Sequence, residues 1–186
     1  MGSASNVFDR KHDLAMQKKK IFLTVGFTIF FSLLLFLMYN IIEKVAAKKE
    51  VQAKIQTLPI GVPLFTLDST YYQLQRNRTV VLIYFNSECQ HCQYELGEIQ
   101  KNVPAFADTE IVFMSSENLS VIREIPPQYT LTQPNFHFTK INPEDVFENF
   151  GSLSVPNIFI YGADGKLIKE FKGETKMEAI LKYAKP

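Results

Sequence analysis

The chain has only two cysteines, and they stand together in Cys89-Gln90-His91-Cys92. Two thiols separated by two residues at a helix start can close a small disulfide ring and reopen it. A helix start also favours the thiolate, because unpaired backbone N–H groups and the macrodipole place positive potential there. This is the arrangement that thiol–disulfide exchange requires. The same two thiolates could instead hold soft Cu(I), with His91 assisting. A tetrahedral zinc site would need further ligands, and His12 and His137 are distant in sequence. A purely structural disulfide here would close only a very short loop and add little stability.

The elements around the motif must hold one sulfur in reach of a partner. Val80–Phe85 is continuously apolar, as a central strand covered on both faces would be. After it, Cys92, Leu96, Ile99 and Val103 recur at helical spacing and define one buried face, ending near Pro104. Glu110–Ser115 reads as a second buried strand, and a helical crossover between the two implies parallel pairing. Phe65–Leu67 and Tyr71–Leu74 read as a short hairpin, and Asn118–Glu124 as a short helix broken by Pro126-Pro127. Phe136–Lys140 alternates like an edge strand. Asn142-Pro143-Glu144-Asp145 is a helix start, and that helix should stop at Gly151. Asn157–Tyr161 and Leu167–Phe171 form a hairpin across Gly162-Ala163-Asp164-Gly165, and Thr175–Tyr183 reads as a last helix. The expectation is an α/β domain with a mixed central sheet and helices on both faces.

Much of the apolar content of this 186-residue chain lies in Ile21–Ile42, which has no charged residue. Its 22 residues span roughly 33 Å as a helix, enough to cross a hydrocarbon core about 30 Å thick. A signal-peptide core is shorter, so the stretch reads as a retained transmembrane anchor. It follows a tail over 1–20 and precedes a Lys/Ala/Gln/Glu-rich stalk over 43–57, with the folded domain over 58–186. Lys18-Lys19-Lys20 against the span favours a cytoplasmic N-terminus. The folded domain would then lie outside the inner membrane, in a periplasm-like space where a lone vicinal cysteine pair escapes the glutathione pool. The formal net charge of +1, and the lack of a phosphate loop or basic patch, argue against a nucleic-acid partner.

From about residue 58 to the end, the chain resembles the thioredoxin-like superfamily, and within it the membrane-anchored TlpA/ResA-type thiol–disulfide oxidoreductases. The apolar strand, the Cys89–Cys92 motif, Ser154-Val155-Pro156 before a strand, the hairpin with Asp164-Gly165, and Gly173 before the last helix carry the likeness. The resemblance implies a thioredoxin-like fold and exchange of disulfides with extracytoplasmic proteins. It implies a membrane or envelope redox partner, a lipid bilayer contacted through residues 21–42, and neither cofactor nor resident metal. Cys89 would be the exposed nucleophile and Cys92 the resolving thiol facing the core. Pro156, after Val155, would match the family's cis-proline.

Glu95 falls where this family carries an acid credited with handling protons. A nearby carboxylate opposes thiolate formation and can exchange a proton with a thiol, although an exposed first-turn glutamate is the alternative reading. His91 and Gln90 fill the space between the cysteines, and an imidazole there could stabilise the Cys89 thiolate. Three departures stand out. The chain has no tryptophan, and Glu88 occupies the place before the first cysteine. The central strand carries Ile83 where thioredoxins bury an acid. The segment before Val80 is also short for the family. Separately, a peroxidase reading is opposed because Phe85-Asn86-Ser87-Glu88 lacks the Pro/Thr-rich character expected before a peroxidatic cysteine.

Overall fold

The computed structural model describes residues 5–185 and divides the chain into two compact units that meet between Ala47 and Lys48. Met1–Ala4, at the small polar start of the expected tail, lie outside the described residues. Helix α1 runs over Ser5–Lys54, so residues 5–20 are helical. In the first unit, Thr24–Ala46 is long and apolar enough to cross a membrane. Phe27, Phe30, Leu33, Phe36 and Leu37 are exposed there. Two of its polar side chains turn back onto the helix: Thr28 Oγ1 donates to the Val25 carbonyl at 2.9 Å, and Asn40 Nδ2 to that of Phe36 at 2.8 Å. Such local bonding is what a polar group needs where no water is available.

The second unit is built on one seven-stranded sheet in the order β2-β1-β5-β4-β3-β6-β7. Its strands are β1 (Leu64–Thr66), β2 (Tyr71–Tyr72), β3 (Thr79–Tyr84), β4 (Thr109–Ser115), β5 (Phe136–Lys140), β6 (Asn157–Tyr161) and β7 (Leu167–Lys172). Its helices are α2 (Gln90–Lys101), α3 (Leu119–Ile122), α4 (Ile125–Gln128), α5 (Pro143–Phe150) and α6 (Met177–Ala184). The three central strands β3, β4 and β5 are parallel, and the pairs toward both edges are antiparallel.

Alternation along the strands sorts side chains into two cores. Val81, Ile83, Ile111, Phe113, Ile158 and Ile160 face a core closed by Cys92, Leu96 and Ile99 of α2, Ile122, Ile125, and Ile180 of α6. Val80, Leu82, Val112, Met114, Phe159 and Tyr161 face the other core, closed by Val146 and Phe150 of α5. Burying each large aliphatic side chain contributes about 1.5–3 kcal/mol, so the Leu96–Ile99 stripe alone pins α2 to the sheet.

Four local expectations are corrected. Phe136–Lys140 is not an edge strand: the β1–β2 hairpin pairs outside it, with Phe65 opposite Lys140 and Thr66 opposite Thr139. Pro126-Pro127 do not simply end a helix but sit in the first turn of α4, where a missing N–H removes no intrahelical bond. Asn142 precedes α5 without capping it through its side chain, which bonds Asp145 instead. Ile55, expected in the stalk, is buried with Leu58, Val62 and Leu64 in the second core. Gly151 ends α5 in the left-handed conformation at φ 68°, which glycine adopts without steric cost.

Candidate active site

The parallel strands all end on the side where loops converge, and β3 delivers the cysteine motif there. Asn86–Glu88 bridges β3 to α2 and is tied down on several sides. Glu117, just beyond β4, accepts from Ser87 N at 2.8 Å, Ser87 Oγ at 2.6 Å and Ser115 Oγ at 2.9 Å. Asn86 Oδ1 accepts from Glu88 N at 2.9 Å, and Gln93 Nε2 reaches back to the Ser87 carbonyl at 2.8 Å. Cys89 is thereby fixed as the N-cap residue of α2, with extended backbone and no side-chain capping bond. Its sulfur is left available for other chemistry.

Both cysteines are free thiols, and they differ in burial: Cys89 is half-buried, Cys92 only 1% exposed. Cys89 Sγ lies 3.9 Å from the Val155 carbonyl oxygen, within reach of a weak S–H···O bond. The Val155–Pro156 peptide is cis. The two segments expected to meet, residues 89–92 and 155–156, are thus in contact. Burial pushes the Cys92 thiol up to about 12, with the neighbouring Cys89 sulfur and the Glu95 carboxylate adding to the effect.

Glu95 is not an exposed helix glutamate. It is 1% exposed on the inner face of α2, one turn below Cys92. Its Oε2 accepts from Thr175 N at 3.1 Å, while Oε1 is buried without a partner. Burial raises its pKa to about 7; the Thr175 N–H opposes that rise, and the Glu174 and Glu98 carboxylates add to it. A carboxyl with one unsatisfied oxygen is better tolerated neutral than charged.

His91 is exposed on the first turn, and its Nδ1 lies 2.7 Å from Glu174 Oε2. The sequence offered the Cys89 sulfur as its partner; the partner observed is Glu174. Gln90 is exposed at the first helical position. Glu174 and Thr175 were not singled out from sequence, nor was Glu117. Only Glu117 left a trace there, as a Ser-x-Glu at the end of the strand expected beside the cysteine strand. His137 lies outside this cluster, half-buried and packed on Tyr72 with ring centroids 4.7 Å apart.

No protein-family model matches the chain. Among curated proteins, the thiol–disulfide oxidoreductase ResA of Bacillus thuringiensis subsp. konkukian is 23% identical over 113 residues, covering 59% of this chain and 64% of its own length. Among solved structures, StoA from Bacillus subtilis superposes with a TM-score of 0.52 at 16% identity, over 65% of this chain and 93% of that one. A secreted Mycobacterium tuberculosis disulfide oxidoreductase homologous to E. coli DsbE gives a TM-score of 0.57 at 14% identity, over 71% and 96%. The fold is thioredoxin-like, and the chain is similar to ResA-type proteins. In this thioredoxin-like chain the cysteine motif sits at the C-terminal end of a central parallel strand, where open α/β sheets present their sites. The chain spans about two-thirds of the curated relative's length.

Proposed function

We propose that the protein is a membrane-anchored thiol–disulfide oxidoreductase acting on extracytoplasmic proteins. The observation that carries this reading is the pairing of a half-buried Cys89, aimed at the Val155 carbonyl, with a buried Cys92 one turn above a buried Glu95. The Cys89 thiolate attacks one sulfur of a substrate disulfide. A Cys89–substrate bond forms, and the second substrate sulfur leaves as a thiolate and takes up a proton. Cys92 then gives its proton to Glu95 and attacks Cys89 Sγ. The Cys89–Cys92 bond forms, the substrate leaves as a dithiol after a second protonation, and two electrons have passed to it. Turnover needs a dithiol donor in the membrane or envelope.

The reducing direction is favoured by the surroundings of Cys92. Burial and neighbouring like charge hold it as a thiol, and a pair whose thiolates are not stabilised gives up electrons readily. His91, engaged with Glu174, supplies less counter-charge to Cys89 than its place in the motif suggested.

Residues 21–42 are the proposed anchor, with the thioredoxin-like domain beyond them on the extracytoplasmic side. The apolar Thr24–Ala46 helix and the Lys18–Lys20 run before it support that orientation. Insulin reduction by the full chain in detergent micelles tests the activity. Cys89→Ala should abolish turnover, and Cys92→Ala should accumulate mixed disulfides with the substrate. Labelling of Cys89 in intact cells by a membrane-impermeant maleimide tests the orientation. No exchange by the wild-type chain, together with tight Cu(I) binding, would reverse the assignment.

A further inference from the structure

Three consecutive residues after β7 touch three separate parts of the site. Gly173 N donates to the Pro156 carbonyl at 2.8 Å. Glu174 Oε2 meets His91 Nδ1 at 2.7 Å. Thr175 N donates to Glu95 Oε2 at 3.1 Å, and its own hydroxyl folds back onto the Gly173 carbonyl at 3.0 Å. Gly173 makes the sharp reversal at φ 81°, a conformation that side chains other than glycine rarely adopt. One short turn therefore ties the cis-proline loop, the exposed first turn of α2 and the buried carboxyl together.

We propose that the Gly173–Thr175 turn positions the redox site, and that Glu174 is a positioning residue coupling the proton on His91 at the surface to the proton on Glu95 inside. The coupling follows from charge. When His91 is neutral, Glu174 is an uncompensated anion on the turn that contacts Glu95, and it adds to burial in favouring the neutral form of that carboxyl. When His91 gains a proton, it offsets Glu174, and Glu95 ionises more readily. Of the other charged groups on these elements, Glu98 on α2 also acts on Glu95 but is paired with Lys101 at 2.6 Å. Cys92 shares the helix and feels the Glu95 charge. Lys176 and Glu178, at the start of α6, are exposed. An ordinary surface ion pair that merely ends a strand would leave the Glu95 proton unmoved.

This inference takes its meaning from the exchange role proposed above, but its measurement does not depend on that role. The full chain in detergent micelles, labelled with ¹³C-glutamate, reports the Glu95 carboxyl titration directly, with Glu95→Gln assigning the signal. Glu174→Gln should lower the Glu95 midpoint by about 0.5 pH unit, and Glu174→Asp should keep it near the wild-type value. His91→Gln should raise it, by less. That rise should shrink by more than half in the Glu174→Gln background. In the unmodified protein, 1 M NaCl, with a screening length of about 3 Å, should shift the midpoint downward as Glu174→Gln does. A midpoint that stays within about 0.1 pH unit in Glu174→Gln, or is insensitive to salt, overturns the coupling. A moved midpoint in a wild-type chain without exchange activity upholds the coupling and ends only the oxidoreductase reading.

Discussion

Two carboxyl groups are buried at opposite ends of the same parallel strands, and they are treated differently. Glu110, at the start of β4, is 7% exposed and receives a short hydrogen bond from the Tyr72 hydroxyl. Glu95, on α2 one turn beyond Cys92, is 1% exposed and receives one backbone N–H, with its other oxygen unpartnered. The Tyr72 phenol is pushed upward by burial and by Glu110, and the His137 imidazole is pushed downward by burial. At the Glu95 end burial raises the carboxyl to about 7. A buried acid given a side-chain donor is a structural part. One left half-satisfied next to a thiol is placed to exchange a proton near neutral pH.

The largest test of this contrast is loss of chemistry at one end only. Cys89→Ala should reduce exchange to the uncatalysed background, whereas Tyr72→Phe should leave the exchange rate within about twofold of wild type and act on stability instead. Removing the Tyr72 hydroxyl deprives a buried carboxyl of its donor, at a cost of about 1–3 kcal/mol in chemical denaturation. Exchange that collapses in Tyr72→Phe at unchanged stability would mean that the two ends are not separate.

Glu95→Gln sharpens the contrast further. It keeps the shape and an acceptor for Thr175 N but cannot take a proton. Resolution of the mixed disulfide should slow about 10- to 100-fold at pH 7. The pH dependence of that step should also lose its inflection near 7, read by quenched-flow trapping of the mixed disulfide. An inflection that survives in Glu95→Gln assigns the proton to another group.

Legibility in sequence divided along similar lines. β3, α2 and β4 were plain because continuous apolar runs and helical spacing are local signals, and the cysteine motif marked their junction. The place of β5 was not. Its alternation reads as half-exposed, but the β1–β2 hairpin pairs outside it, laying Tyr72 over His137, and Phe136 and Phe138 are buried in the first core. Ile55 was missed because a single apolar residue at a helix end has no periodicity to betray it. At the site, Cys89 and Cys92 could be placed by type and spacing, and Pro156 only through the family resemblance. The burial of Glu95 could not, because it depends on a turn 80 residues later in the chain. For the same reason Glu174 was invisible: nothing near it in sequence resembles a site.

The smallest effect expected is on stability against pH. Glu95 rises from an ordinary value of 4.5 to about 7 in the folded chain. Between those values the folded protein keeps a proton that the unfolded chain has lost, so the folded state binds more protons. Stability from this group is therefore full below about pH 4.5, declines as pH rises, and is gone above about 7. After local relaxation around the buried carboxyl, the decline should amount to about 1–2 kcal/mol. Glu95→Gln never ionises, so its stability curve should lack this component and lie above that of wild type at pH 8, while the two converge near pH 4.5. Tyr72→Phe should lie below wild type at both pH values, because its loss is a hydrogen bond and not the ionisation of Glu95. Parallel curves for wild type and Glu95→Gln between pH 4.5 and 8 would mean that Glu95 enters the folded state already charged. Its place as proton acceptor for Cys92 would then fall with it.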